Sequence, residues 1–141
     1  MKKLITIITL VVTLFTISSC SSEGEMFEND LPEKIMEMID AGWVVQENYA
    51  IEPRKDELND VWAKKSGIDD FHWEYSILFS KEIEGKEKYC IISKFGSYEQ
   101  AKYYDDETKS AYSEAYTFVI DEFYLTYNKG VTDFKEIFDL N

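Results

Sequence analysis

Apolar and polar residues alternate most cleanly between Phe71 and Ile83. Trp73, Tyr75, Ile77 and Phe79 fall on one side, and His72, Glu74, Ser76 and Ser80 on the other, with Leu78 the exception. Period two of this kind predicts a half-buried antiparallel strand. Glu84-Gly85-Lys86 supplies a turn, and Glu87 to Phe95 predicts the returning arm of a hairpin. Trp43 to Ile51 alternates as well, with Trp43, Val45 and Tyr49 on one side. Helical spacing appears elsewhere. Asp30 before Leu31-Pro32-Glu33 predicts a helix start, after which Leu31, Ile35, Met38 and Ile39 share a face and Gly42 ends the run. Pro53 opens a second helix with Leu58, Val61 and Trp62 as its stripe and Gly67 as its stop. Ser97 with Gln100 forms a capping box, followed by Ala101, Tyr104, Thr108, Ala111 and Ala115 on one side. Asp105 and Lys109 sit at i, i+4 on the outer side.

Tyr116 to Tyr127 carries both periods. Its β-branched and aromatic composition favours a strand, although Tyr116, Ile120, Phe123 and Tyr127 also lie at helical spacing. Asn128-Lys129-Gly130 then turns the chain, and Asp133 with Glu136 caps a short last helix that buries Phe134, Ile137 and Phe138. The elements predict an α+β fold: a small antiparallel sheet with helices on one face. Their order matches a ferredoxin-like βαββαβ arrangement with an extra N-terminal and an extra C-terminal helix. A more open antiparallel sheet with the same helices is the alternative.

The first residues obey a different pattern. Lys2 and Lys3 precede an apolar run from Leu4 to Ile17 that is interrupted only by threonines, and Ser18 and Ser19 lead to Cys20. A positive start, an apolar stretch shorter than a membrane span and small residues at the end form a secretory signal peptide. Ile17-Ser18-Ser19-Cys20 resembles the lipobox of bacterial lipoprotein precursors. That resemblance implies lipid on the Cys20 thiol, cleavage before it, and export to the cell membrane or outer membrane. Two or three acyl chains at about 0.8 kcal/mol per buried CH₂ hold such a protein firmly. The resulting division is a signal peptide at 1–19, a lipidated cysteine and tether at 20–29, and one α+β domain at 30–141. The acidic Ser21-Ser22-Glu23-Gly24-Glu25 also resembles surface-export signals of some Bacteroidetes lipoproteins.

Charge narrows the partners. Fifteen Lys and Arg face 28 Asp and Glu, a net of −13, and loss of Lys2 and Lys3 with the leader brings it to −15. That balance argues against nucleic acid and permits a basic protein or peptide, or a glycan held by aromatic side chains. It equally serves plain solubility. With Cys20 given to lipid, Cys90 has no disulfide partner; its apolar setting in Tyr89-Cys90-Ile91-Ile92 predicts a buried thiol.

Candidate chemistry is sparse. The single histidine, His72, leaves no polyhistidine metal site, and no Gly-x-Ser-x-Gly elbow presents a serine. No cofactor or metal is implied, and an enzyme would have to rely on scattered carboxylates. Asp121 and Glu122 interrupt an otherwise apolar stretch, which a bulge, a turn or a binding site would explain. Tyr103, off the inner side of its helix, is the aromatic most expected to face a partner. The expected function is a membrane-anchored, non-enzymatic binding module, with an inhibitor or immunity-type lipoprotein as its specific form. A structural or accessory envelope lipoprotein is the alternative.

Overall fold

The structure, a computed structural model, describes residues 23–47, 54–111 and 113–140. In chain order the elements are α1 (Glu23–Asp40), β1 (Val44–Glu47), α2 (Lys55–Ser66), β2 (Trp73–Ile83), β3 (Lys86–Phe95), α3 (Tyr98–Thr108), a 3₁₀ turn (Lys109–Ala111), β4 (Ala115–Ile120), β5 (Phe123–Asn128) and α4 (Asp133–Ile137). The strands form one antiparallel sheet in the order β1-β2-β3-β5-β4. The expected class, a small antiparallel α+β fold, is the one observed.

Its finer organisation differs from expectation in three ways. First, the ferredoxin-like order does not form. A split βαβ unit needs parallel strands either side of its helix with a third between them. Here β1 lies directly against β2 and runs antiparallel to it, Val44 opposite Ser80. The Tyr116–Tyr127 stretch is indeed strand, but two strands joined at Asp121-Glu122 rather than one. Second, the helices cover both sheet faces. On the first face, Leu31 and Met38 of α1 and Phe134 of α4 pack on Ile77, Phe79, Cys90, Ile92, Phe123 and Leu125. On the second, Trp62 of α2 and Ala101 and Tyr104 of α3 pack on Phe95, Tyr124 and Trp73. Trp73 reaches that second face because the β2–β3 register shifts between Trp73 and Tyr75. One extra residue in a strand turns the preceding side chain over. Third, α1 begins at Glu23 and runs through Pro32, so it includes residues read as tether. Phe27 sits 4.8 Å from the Phe123 ring and 5.7 Å from Phe138, and Glu28 bonds Lys94 at 3.0 Å. These tertiary contacts hold the early turns helical beyond the Asp30 cap that local sequence favours.

Several local signals behave as expected. Glu84 and Gly85 take positive φ (53° and 79°), the geometry of a two-residue hairpin turn. Gly67 ends α2 in the left-handed region, and Ser97 Oγ accepts from Gln100 N at 3.2 Å to cap α3. The residues from 48 to 53, including the rest of the Trp43–Ile51 strand and Pro53, lie outside the described residues. In α2, Leu58 and Trp62 are half-buried whereas Val61 is exposed. Asp105 is buried rather than on the outer side, with Lys109 3.9 Å away. Ala115, expected on the α3 stripe, starts β4 instead.

Two polar knots tie the layers together. Asp133 Oδ2 accepts from Trp43 Nε1 at 3.1 Å and from Lys81 Nζ at 3.4 Å, while Lys81 also donates to the Ala41 carbonyl. The end of α1, strand β2 and the start of α4 thus share one carboxylate. On the opposite face, buried Gln100 accepts from His72 N (2.8 Å) and Gly96 N (3.1 Å) and donates to the Asp70 carbonyl (3.3 Å). That side chain fixes both loops that bring the aromatic cluster over the sheet.

Candidate functional site

Helices cover only part of the second sheet face. Cross-strand register arranges this face in rows. Leu78, Ile91, Thr126 and Thr117 lie side by side, with Gln46 beyond Leu78. The next row outward is Val44, Ser80, Tyr89, Asn128 and Ala115, in which Asn128 Oδ1 accepts from Tyr89 N at 2.7 Å. Beyond that, at the hairpin end, Glu82 stands directly opposite Glu87. A groove of about 240 Å³ runs along the first two rows, lined by Leu78, Tyr89, Ile91, Ala115, Thr126 and Asn128. Leu78 and Thr126 form its buried floor. Val44 and Tyr89 are 67% and 44% exposed, large for apolar groups on a sheet surface.

The charges at this end of the sheet are sorted by face. Ile83 and Lys86 close the two-residue turn, so Glu82 and Glu87 form a pair of the non-hydrogen-bonded type, in which side chains come closest. On the other face the next pair is Lys81 with Lys88. Each lysine has a partner: Lys81 the Asp133 carboxylate, Lys88 the Lys129 carbonyl at 3.2 Å. Glu82 and Glu87 are exposed and pair with no cation among the described residues. The open face therefore ends in an uncompensated negative pair beside exposed apolar side chains.

A second hollow, about 350 Å³, lies between α1 and β2 at Glu28, Leu31, Pro32, Ile35 and Tyr75. Its charged residue is already satisfied. Lys94 bonds Glu28 at 3.0 Å and lies 3.6 Å from Glu74. Burial pulls the Lys94 pKa down, but the Glu28 hydrogen bond and the charges of Glu74, Glu28 and Glu122 outweigh it and hold the ammonium above its ordinary value.

The residues singled out from sequence fall into other roles. Tyr103 is half-buried between α2 and α3, its hydroxyl donating to the Lys65 carbonyl at 3.0 Å and its ring edge-on to Trp62. It joins α2 to α3 through this bond and ring contact. Asp121 and Glu122 stay together as the β4–β5 turn, with Asp121 at φ 51° and the Glu122 carbonyl accepting from Phe95 N. Of the explanations the sequence left open, the turn is the one observed. Cys20 lies outside the described residues. Cys90 is fully buried and unpaired, and burial, then the charge of Asp133, holds its thiol far above the usual range. Among the described residues no three His, Cys, Asp or Glu side chains converge to hold a metal, and no helix is long and apolar enough to cross a membrane.

Val44, Tyr89, Glu82 and Glu87 were missed by sequence reasoning. A usable signal existed: Glu84-Gly85 as a two-residue turn fixes the register, and counting back from it sets Glu82 against Glu87. Fold and site together define a small antiparallel α+β domain with one partly open, acid-ended sheet face. No protein-family model, no curated protein and no solved structure matches the chain.

Proposed function

We propose that this protein is a lipid-anchored bacterial lipoprotein whose domain is a non-enzymatic binding module for a basic protein or peptide. The anchor is supported by the Ile17-Ser18-Ser19-Cys20 box behind a short apolar leader. Lipid on Cys20 holds the exported domain at the cell membrane or outer membrane. The binding reading is carried by one observation: the uncompensated Glu82/Glu87 pair at the end of a groove flanked by exposed Val44 and Tyr89. Aromatic anchors beside unpaired charge are what a specific interface uses, since the apolar area supplies affinity and the charge supplies orientation. A cationic side chain set between the two carboxylates relieves their repulsion, which an anion or a neutral sugar does not.

The test places a photocrosslinking amino acid at position 89 in the anchored protein and, as a control, at position 135 on α4. The expected product is a basic protein captured from the native envelope at position 89 only. Capture should fall as salt rises and disappear when Glu82→Lys and Glu87→Lys are combined. Equal capture at both positions, or capture insensitive to the double charge reversal, overturns the reading.

A further inference from the structure

We infer that β4 is a docking edge at which an extended, lysine- or arginine-flanked segment of the partner adds a sixth strand to the sheet. This rests on the reading of the domain as a module for a basic partner, and assigns the contact its backbone geometry.

The register decides which groups are free. Ile120 and Phe123 flank a two-residue turn, so residues 120, 118 and 116 exchange backbone hydrogen bonds with β5. The Glu114 carbonyl, which accepts from Lys129 N at 2.8 Å, continues that parity. Thr117 and Val119 therefore turn their N–H and C=O groups outward. β4 is the last strand of the sheet, and no described residue pairs with that edge. Exposed edges are ordinarily blunted by brevity, charge, proline or a bulge. The opposite edge, β1, is four residues long and contains Gln46 and Glu47. β4 is six residues of Ala-Tyr-Thr-Phe-Val-Ile with an unbroken register and none of these devices.

Charge selects the occupant. Residues 115–120 are uncharged, but Glu114 precedes them and Asp121 and Glu122 follow. An added strand with an apolar centre and basic flanks meets carboxylates at both ends. A second copy of this chain does not fit. Antiparallel pairing of two β4 strands through Thr117 and Val119 brings Glu114 of one opposite Glu122 of the other, twice, between molecules each carrying −15 once the leader is lost. The edge is also continuous with the groove, because Ala115 lines it and Thr117 belongs to its inner row. Side chains of the added strand on that face would reach the groove rim.

The probe is a synthetic peptide, Lys-Lys-Val-Thr-Val-Thr-Val-Lys-Lys, titrated into the full-length protein in detergent micelles. Fluorescence anisotropy reads binding, and NMR hydrogen exchange reads the Thr117 and Val119 amides. Saturating peptide should slow exchange of those two amides at least tenfold. Thr117→Pro, which removes an outward donor and leaves the β5 ladder intact, should weaken binding at least tenfold. Should that variant not fold, a peptide N-methylated on the edge facing β4 gives the same comparison with unaltered protein. Three results overturn the inference. One is binding with no slowing at Thr117 and Val119, or binding undiminished by N-methylation. A second is equal binding of a glutamate-flanked peptide. A third is concentration-dependent slowing of these amides without peptide, which makes the occupant a second copy. Salt-sensitive crosslinking at position 89 that survives Thr117→Pro would leave the basic-partner reading standing while the edge fails. Loss of that crosslinking signal altogether removes the reading beneath both.

Discussion

Gln100 offers the sharpest test of how this fold is held. Its amide makes three hydrogen bonds to backbone groups of two separate loops, at His72, Gly96 and Asp70. Net contributions of about 1 kcal/mol per bond put the cost of Gln100→Ala near 3 kcal/mol. That is a large share of the roughly 5–15 kcal/mol that stabilises a typical domain. Gly96 reports on the same interaction from the other side. A Cβ placed there would stand 2.9 Å from Gln100 Oε1, closer than van der Waals contact allows. Its backbone is outside the left-handed region, so Gly96→Ala acts through that contact and not through φ. The Gln100 amide must shift, and two of its bonds weaken with it. Gly96→Ala alone should cost about 1–2 kcal/mol, and in the Gln100→Ala background only a few tenths. Urea denaturation of the two single variants and the double variant measures this cycle. Additive losses, or a Gln100→Ala loss below about 1 kcal/mol, would refute the assignment of Gln100 as the joint between these loops.

Three further outcomes are open to measurement. Cys90 should resist thiol reagents at pH 8 in the native protein and react fully in urea, because burial holds it as the neutral thiol; labelling at the rate of a free cysteine contradicts its placement. Lys94 is held above its ordinary value of about 10.5, so its stabilising effect is complete below that pH and lost as pH rises through the raised value. The stability gap between wild type and Lys94→Met should therefore narrow as pH rises through that range, and a gap constant from pH 7 to 11.5 would count against the Glu28–Lys94–Glu74 contacts. Finally, Cys20→Ala should abolish metabolic labelling with a lipid analogue and leave the precursor uncleaved, whereas persistent labelling would overturn the anchor.

Much of the fold was legible where local chemistry dictates backbone shape. Glu84-Gly85, the Ser97 cap and the Gly67 stop each specify a conformation on their own. What failed was information carried by distant partners. Apolar periodicity tells a helix which side to bury but not which face of the sheet receives it, so α2 and α3 could not be separated from α1 and α4. The bulge after Trp73 leaves no mark in an alternation that puts Trp73 and Tyr75 on the same side. The Asp121-Glu122 turn lacks the glycine or asparagine that usually marks a tight hairpin. Tyr103 was judged from its own helix alone, whereas its burial comes from Trp62 on another helix. The site escaped for a related reason: its residues come from all five strands and meet only through register.

That register also explains why like charges face each other. The tip reads Lys81-Glu82-Ile83-Glu84-Gly85-Lys86-Glu87-Lys88, and sliding one strand by one residue would set lysines against glutamates. The slide would also move the core residues of the strand that shifts, Ile77 and Phe79 or Cys90 and Ile92, off the core face. Each buried apolar side chain contributes roughly 1.5–3 kcal/mol, against about 0.2–1 kcal/mol for a cross-strand charge pair. The core wins, and the carboxylates are left opposed. Repulsion alone thus needs no functional explanation, but it makes the functional reading separable from a structural one. Glu82→Lys converts the pair to an attractive one and should stabilise the free domain by about 0.5 kcal/mol in urea. The same change should weaken capture of a basic partner at position 89, so stability and binding move in opposite directions. Loss of stability in Glu82→Lys would show that the glutamate is held by contacts of its own, and the open face would lose its claim to an unsatisfied charge.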